Sequence, residues 1–181
     1  MMLTLPGARL LLGMPLSELG DGLTLTAEIL GSAAIDITEH LLAAPSQEQR
    51  LAVLASAVER KFAVASPISG DLTWARARLE ASAGRARVAA LAAELGCSRK
   101  HLTMRFHEQF GMPPKLFARI LRFDHAVRHL RADRVTSWAD LACTCGYADQ
   151  AHLAREFREL AGCSPTSLSR RRLPDDGGFL V

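Results

Sequence analysis

Apolar side chains recur at three- and four-residue intervals along much of this chain, the spacing that covers one face of a helix. Leu30, Ala33, Ile37 and Leu41 make one such stripe and predict a helix from about Thr26 to Ala43. Ser46 and Gln49 stand in capping-box spacing before a second helix to about Ala65, with its stripe on Leu51, Leu54, Ala55, Val58 and Phe62. Residues 1–26 are less regular. Leu10-Leu11-Leu12-Gly13-Met14-Pro15 reads as a short buried strand or the end of one, and Gly20-Asp21-Gly22 as a turn. The small residues, proline and glycine of Ala65-Ser66-Pro67-Ile68-Ser69-Gly70 mark a linker. Beyond it Asp71 is placed to cap a helix to about Ser82, with Leu72, Ala75 and Leu79 inward and Gly84 ending it.

Six further helices follow. Val88–Leu95 leads to a turn at Gly96, and Ser98 caps a helix to about Phe110, stopped by Gly111. Pro113 and Pro114 open a long helix to about Arg131, prolines being tolerated in a first turn. Ser137 and Asp140 cap the next helix, which turns at Gly146, and Asp149 caps another that ends near Ala161-Gly162. Ser164-Pro165 starts a short last helix running into Arg170-Arg171-Arg172. The expected fold class is all-α: a seven-helix double helix-turn-helix domain over 71–172, joined by a long connecting helix. A short helical module over 1–70 precedes it and a disordered tail over 173–181 follows.

Within this pattern lies a duplication. Subtracting 51 from His152, Leu153, Phe157, Glu159, Gly162 and Pro165 gives His101, Leu102, Phe106, Glu108, Gly111 and Pro114. Upstream, Leu91-Ala92 and Gly96 match Leu141-Ala142 and Gly146 at an offset of 50, so one residue is inserted just after the turn. A fixed internal period defines the architectural unit, here helix, Gly turn, helix, written twice. Two such units in one chain suit a reader of two successive stretches of DNA.

Composition agrees. Hydrophobic residues make up 49% and charged ones 23%, as in a globular chain, and aromatics only 6%, which favours helix over sheet. The net charge of +3 is unevenly spread. Residues 71–172 carry 18 Lys+Arg against 10 Asp+Glu, whereas residues 1–70 carry 4 against 7. The basic part is the duplicated part, as a polyphosphate partner requires. Cys97, Cys143, Cys145 and Cys163 form no secreted framework and read as small apolar fillers in a reducing cytoplasm. Cys143 and Cys145, two apart on a helix, point roughly 200° apart and cannot share a metal. No apolar run approaches the ~20 residues of a membrane span, and Met1-Met2-Leu3 lacks the charged start of a signal peptide. A cytoplasmic protein without membrane partner is expected.

In a helix-turn-helix the second helix enters the major groove with its N-terminal residues at the base edges, while the first braces it. Leu102 and Phe106, four apart, anchor one such helix, and Leu153 and Phe157 the other. The opposite faces carry Arg99, Lys100, Thr103 and His107 in copy one, and Gln150, His152, Arg155 and Arg158 in copy two. Arg and Lys donate to guanine, Gln can bridge adenine, and Thr and His pair with several edges. The connecting helix, about 18 residues or roughly 27 Å long, lets helices 98–110 and 149–161 lie one DNA turn apart, ~34 Å, on one face of the duplex. The remaining chemistry reads as structural. His101 and His152 read as packing residues at equivalent sites. His125 and His129 have metal-pair spacing, but no third ligand lies on that helix, so neither metal nor cofactor is expected. Asp124 and Asp133 read as partners of neighbouring arginines. Arg170-Arg171-Arg172 is either a phosphate contact or a solvated helix end.

The stretch Asp140-Leu141-Ala142, Gly146-Tyr147-Ala148-Asp149-Gln150, His152-Leu153, Arg155-Glu156-Phe157 and Gly162-Cys163-Ser164-Pro165 resembles the signature of the AraC-type transcription regulators. The resemblance covers about residues 71–172, the C-terminal double helix-turn-helix domain of that family. It implies an all-α domain of seven helices that binds bacterial promoter DNA. Carried over position by position, it implies DNA contacts from Arg99, Lys100, Thr103 and Met104, and from Gln150, Ala151, His152 and Arg155. Two departures stand out. Met104 occupies a place where the family often has Arg, as copy two does at Arg155. Met donates no hydrogen bond, leaving at most an apolar contact to a thymine methyl, while Arg105 next door points elsewhere and is placed to recover a phosphate. Family members also usually carry a strand-rich sensor barrel, and residues 1–70 look like the interdomain helices of such a protein with the barrel missing.

The expected function is therefore sequence-specific DNA binding in transcription regulation, without enzymatic activity. Residues 26–65 are a candidate surface for a homodimer or heteromer, and RNA polymerase is a candidate partner. The competing expectation is a truncated paralogue that modulates a full-length regulator by protein interaction; it would bind DNA weakly alone. A third class, alkyl transfer as in cysteine-based DNA repair modules, needs an activated cysteine outside the DNA-binding part, and residues 1–70 contain none.

Overall fold

Leu, Ala and Arg dominate the sequence, and in the computed structural model they build helices. The structure describes residues 5–12, 14, 18, 31–64, 68–132, 135 and 137–170. Among these residues ten helices and no strand occur. They are α1 Leu5–Leu12, α2 Ser32–Ala43, α3 Gln47–Val64, α4 Gly70–Ala81, α5 Val88–Glu94, α6 Arg99–Phe110, α7 Pro114–Arg131, α8 Trp138–Thr144, α9 Gln150–Ala161 and α10 Pro165–Arg170. The all-α expectation holds. The expected Gly20-Asp21-Gly22 turn, most of the linker before Ile68, Asp133, Arg171, Arg172 and the tail from 173 lie outside the described residues.

Two compact units emerge, one from the residues up to Leu72 together with Lys100–Pro113, the other from Thr73–Arg99 together with Pro114 onward. In the first unit, the apolar run at Leu10–Leu12 closes helix α1 and is not a strand. A short apolar run carries no periodicity able to separate the two. Both α1 and α2 pack on α3. Ser46 Oγ accepts from the Gln49 N–H at 3.2 Å, the cap expected at the start of α3. Of the stripe expected on α3, only Val58 is partly covered. Leu51, Leu54 and Phe62 are exposed at 59%, 44% and 43%, whereas Ala57 is buried and Val53, Val58 and Lys61 are half-buried. Two overlapping stripes satisfy the helical period here, and the side carrying small Ala57 admits the closer helix approach. In α6, Leu102, Phe106 and Phe110 are buried, with the Phe106 and Phe110 rings 4.5 Å apart.

In the second unit the core is a cluster of Ala126, Val127, Leu130, Leu141, Ala142, Cys145, Tyr147, Leu153, Phe157 and Leu168, drawn from α7 to α10. Phe123 meets Phe157 edge-on at 4.8 Å, a geometry worth about 0.5–1.5 kcal/mol beyond area burial. The end of α4 departs from expectation in one detail. The Ala83 N–H reaches the Glu80 carbonyl at 2.9 Å and the Gly84 N–H reaches Leu79 at 2.8 Å, a Schellman pair. Ala83, not only Gly84, is therefore left-handed, with φ 48° against 76° for Gly84. Helix α4 also begins at Gly70, which puts Asp71 inside the first turn and not at the cap.

Candidate nucleic-acid interface

Each motif rests on its turn, and the two turns are closed by the same pair of bonds. After α5 the Cys97 N–H donates to Ala92 O at 2.9 Å and Gly96 N–H to Ala93 O at 3.0 Å. After α8 the Tyr147 N–H donates to Ala142 O at 2.8 Å and Gly146 N–H to Cys143 O at 3.1 Å. Gly96 and Gly146 are both left-handed, φ 64° and 76°, a conformation costly to any residue with a Cβ. The duplication read from residue identities is thus a duplication of backbone geometry. Gly111 and Gly162 close α6 and α9 alike, at φ 72° and 67°, donating to His107 O and Arg158 O.

The helix starts differ between copies. Ser137 Oγ accepts from Asp140 N–H at 3.0 Å, and Asp149 Oδ1 accepts from His152 N–H at 2.7 Å, so both helices of copy two are side-chain capped. Arg87 stands at the corresponding start of α5 and supplies no side-chain cap.

Burial sorts the faces of the second helices. Leu102 and Phe106 in α6, and Leu153 and Phe157 in α9, are all buried, 2% exposed or less. On α6, Arg99, Lys100, Met104 and His107 are exposed and Thr103 is half-buried. On α9, Gln150, Ala151, Arg155 and Arg158 are exposed and His152 is half-buried. Each helix thus brings its candidate contacts to one solvent-facing side, Lys100, Met104 and His107 running along the first, Ala151, Arg155 and Arg158 along the second. Met104 is 49% exposed, an apolar side chain in the middle of an otherwise polar stripe.

The two equivalent histidines part company. The His152 ring stands edge-on to Tyr147 at 5.4 Å, and its Nδ1 accepts from the Ala148 N–H at 3.3 Å. It packs, as expected. His101 is exposed, against the packing expectation; copy one has the smaller Cys97 where copy two has Tyr147.

A charged clamp escaped the sequence reading. Glu156, buried on α9, accepts from Arg119 Nε of α7 through both carboxylate oxygens at 2.9 Å, and Glu159 takes the Arg119 terminal nitrogen. Hydrogen bonding to Glu156 holds the Arg119 pKa above its ordinary value. The position equivalent to Glu156 in copy one is Arg105, and it too is engaged, with opposite sign. Its guanidinium reaches Asp71 Oδ2 at 3.4 Å and Ser69 Oγ at 2.9 Å, so it is turned onto the start of α4 and is not a free phosphate contact. The only signal in the sequence was the recurrence of a charge one residue before each anchoring Phe. Arg122 donates to Gly84 O at 2.8 Å and lies 5.7 Å from the Tyr147 ring. Burial pushes the Tyr147 phenol pKa up and the Cys145 thiol to about 11, with Arg85 opposing the latter. Asp124 pairs with Arg128 at 2.8 Å, as expected.

Among the described residues no helix is long and apolar enough to cross a membrane. Residues 91–171, from the first helix of copy one to the end of the last helix, match the family described as Helix-turn-helix domain. No curated protein and no solved structure matches the chain.

Proposed function

Residues 91–171 are an AraC-type helix-turn-helix domain, a DNA-binding domain of transcription regulation, and from that premise we propose a sequence-specific reader of two adjacent major grooves. Helix α6 enters one groove with Arg99, Lys100, Thr103, Met104 and His107, and α9 enters the next with Gln150, Ala151, His152 and Arg155. The observation that carries this reading is the repeated turn, with identical bond pairs and buried Leu/Phe anchors leaving one exposed polar stripe on each second helix. The roles differ within the set. Arg155 and Gln150 have the donors for guanine and adenine edges, Lys100 and Arg99 suit guanine or phosphate, and Met104 offers a thymine methyl only apolar contact. His152, held by Tyr147 and Ala148, positions the start of α9 and touches DNA only with its outer edge. No catalysis is assigned, and the site of action is promoter DNA in the cytoplasm.

The test is a pair of titrations on a selected duplex. Arg155→Ala costs about 1–3 kcal/mol and relaxes preference at one base pair if Arg155 reads an edge. Met104→Arg restores the missing donor and changes base preference at the equivalent position of the first groove. If neither substitution moves affinity or preference, the placement of the reading helices is wrong.

A second reading has its own support. Ile35, Leu42, Leu51, Leu54, Phe62 and Val64 are exposed on α2 and α3. They favour pairing of residues 26–65 with a second copy or with another regulator, whose DNA binding this chain would modulate; RNA polymerase is a further candidate partner. Weak DNA affinity alone, together with a stable heteromer, would favour this alternative.

A further inference from the structure

His125 and His129 stand one turn apart on α7, and their rings lie edge to face with centroids 4.8 Å apart. The helix itself offers them no third ligand, but the fold brings one from another element. Cys145, fully buried at the end of α8, presents its sulfur to the pair, and one donor atom from each of the three residues lies within 4.8 Å of the others. Cys143, two residues earlier, is exposed and is not one of the cluster. A second observation points the same way. His125 Nδ1 is buried and has no hydrogen-bond partner among the described residues. Buried ring nitrogens are nearly always satisfied, so an orphaned one needs an account.

The donor set is two imidazoles and a thiol, with no carboxylate among them, which selects against magnesium or calcium and for a borderline-soft ion. Zinc bonds of about 2.0–2.1 Å to nitrogen and about 2.3 Å to sulfur put tetrahedral ligand atoms roughly 3.3–3.6 Å apart. The three donors, within 4.8 Å of one another, have to close by about 1 Å to reach that geometry. The charges around the cluster are Arg85, Arg128 and Asp124. Asp124 offsets Arg128 at 2.8 Å, and Arg85 partly opposes the burial that otherwise keeps Cys145 a thiol until a metal displaces its proton.

We propose that His125, His129 and Cys145 bind a thiophilic divalent cation of the zinc class, with a fourth position open to solvent. On binding, the metal–sulfur bond forms as the Cys145 thiol releases its proton to solvent; both imidazoles bind as neutral rings and no electrons move. The ion clips the long helix α7 to the last turn of α8, the first helix of motif two. Metal loading therefore stiffens that motif, whatever sequence it reads.

The experiment uses the untagged full chain, stripped with chelator and titrated with Co(II). One cobalt per chain is expected, with tetrahedral d–d bands and thiolate-to-cobalt charge-transfer absorption. Cys145→Ala abolishes the charge-transfer band, and both it and His129→Asn weaken binding at least about tenfold. Cys97→Ala, Cys143→Ala and Cys163→Ala leave the spectrum unchanged. Zn(II) displaces the cobalt and raises the thermal midpoint of the wild-type chain but not of His129→Asn, whose helical circular dichroism stays that of the apo protein. A titration with no charge-transfer band, a band that survives Cys145→Ala, or one lost with Cys143→Ala overturns the site.

Discussion

Substituting Gly84 by Ala separates backbone conformation from steric space at the end of α4. Gly84 has φ +76°, and a Cβ there would lie 2.1 Å from the Ala118 carbonyl oxygen, 3.0 Å from its carbon and 3.1 Å from Leu121 Cβ. Non-bonded heavy atoms sit at about 3.5 Å, so the chain would have to move by more than about 1 Å. The obstacle is hydrogen-bonded backbone in the second turn of α7, where Phe117 and Ala118 are buried, and cannot swing aside. The left-handed conformation costs an L-residue about 1–2 kcal/mol, and forced overpacking adds about 1–3 kcal/mol. Gly84→Ala should therefore lose about 2–5 kcal/mol, a large part of a typical stability. Gly162 is the control: φ is +67°, but nothing lies within 4 Å of where an alanine methyl would sit. Gly162→Ala should lose only the conformational part, about 1–2 kcal/mol. In urea, with m about 2 kcal/mol per M, the midpoint falls about 1–2.5 M for Gly84→Ala and about 0.5–1 M for Gly162→Ala. Gly146→Ala falls between, since its Cβ meets the flexible Arg85 side chain at 2.7 Å. Equal shifts for Gly84→Ala and Gly162→Ala would refute the steric argument.

Other substitutions probe neighbouring claims. Ala83→Gly relieves a left-handed alanine at φ 48° and should stabilise by about 0.5–1 kcal/mol, read as a raised thermal midpoint; a drop would mean the turn is not held as described. Glu156→Ala leaves Arg119 paired with Glu159 alone and should cost about 1–3 kcal/mol, less than breaking a fully buried pair because Arg119 is a quarter exposed. The exposed neighbour Glu159→Ala should cost under about 1 kcal/mol; similar losses from both would dissolve the distinction between clamp and surface pair. Asp149→Ala removes the α9 cap and should cost about 1 kcal/mol in urea unfolding, with no change indicating that the cap contributes nothing.

Much of this architecture was legible because glycine and capping residues mark where helices must stop and start. Gly96, Gly111, Gly146 and Gly162 all adopt the left-handed turn their spacing implies, and Asp149 and Ser137 cap where expected. The anchors Leu102, Phe106, Leu153 and Phe157 were readable from four-residue spacing alone. What failed to show depended on which of two helical stripes meets a neighbour, as in α3, or on partners far apart in sequence. Arg119 with Glu156, Arg105 with Asp71, and Cys145 beside His125 and His129 are of the second kind. The equivalent histidines 101 and 152 looked alike because identity at a repeat position says nothing of the different residue, Cys97 or Tyr147, at the turn.

The central claim is that the two second helices read two grooves of DNA. The measurement that bears on it most directly is selection by the purified chain from a pool of random duplexes, with enriched sites sequenced and re-titrated at several salt concentrations. The account predicts two short boxes about one helical turn apart, bound with a steep salt dependence. Salt-sensitive binding without an enriched sequence, or no binding at all, would contradict it.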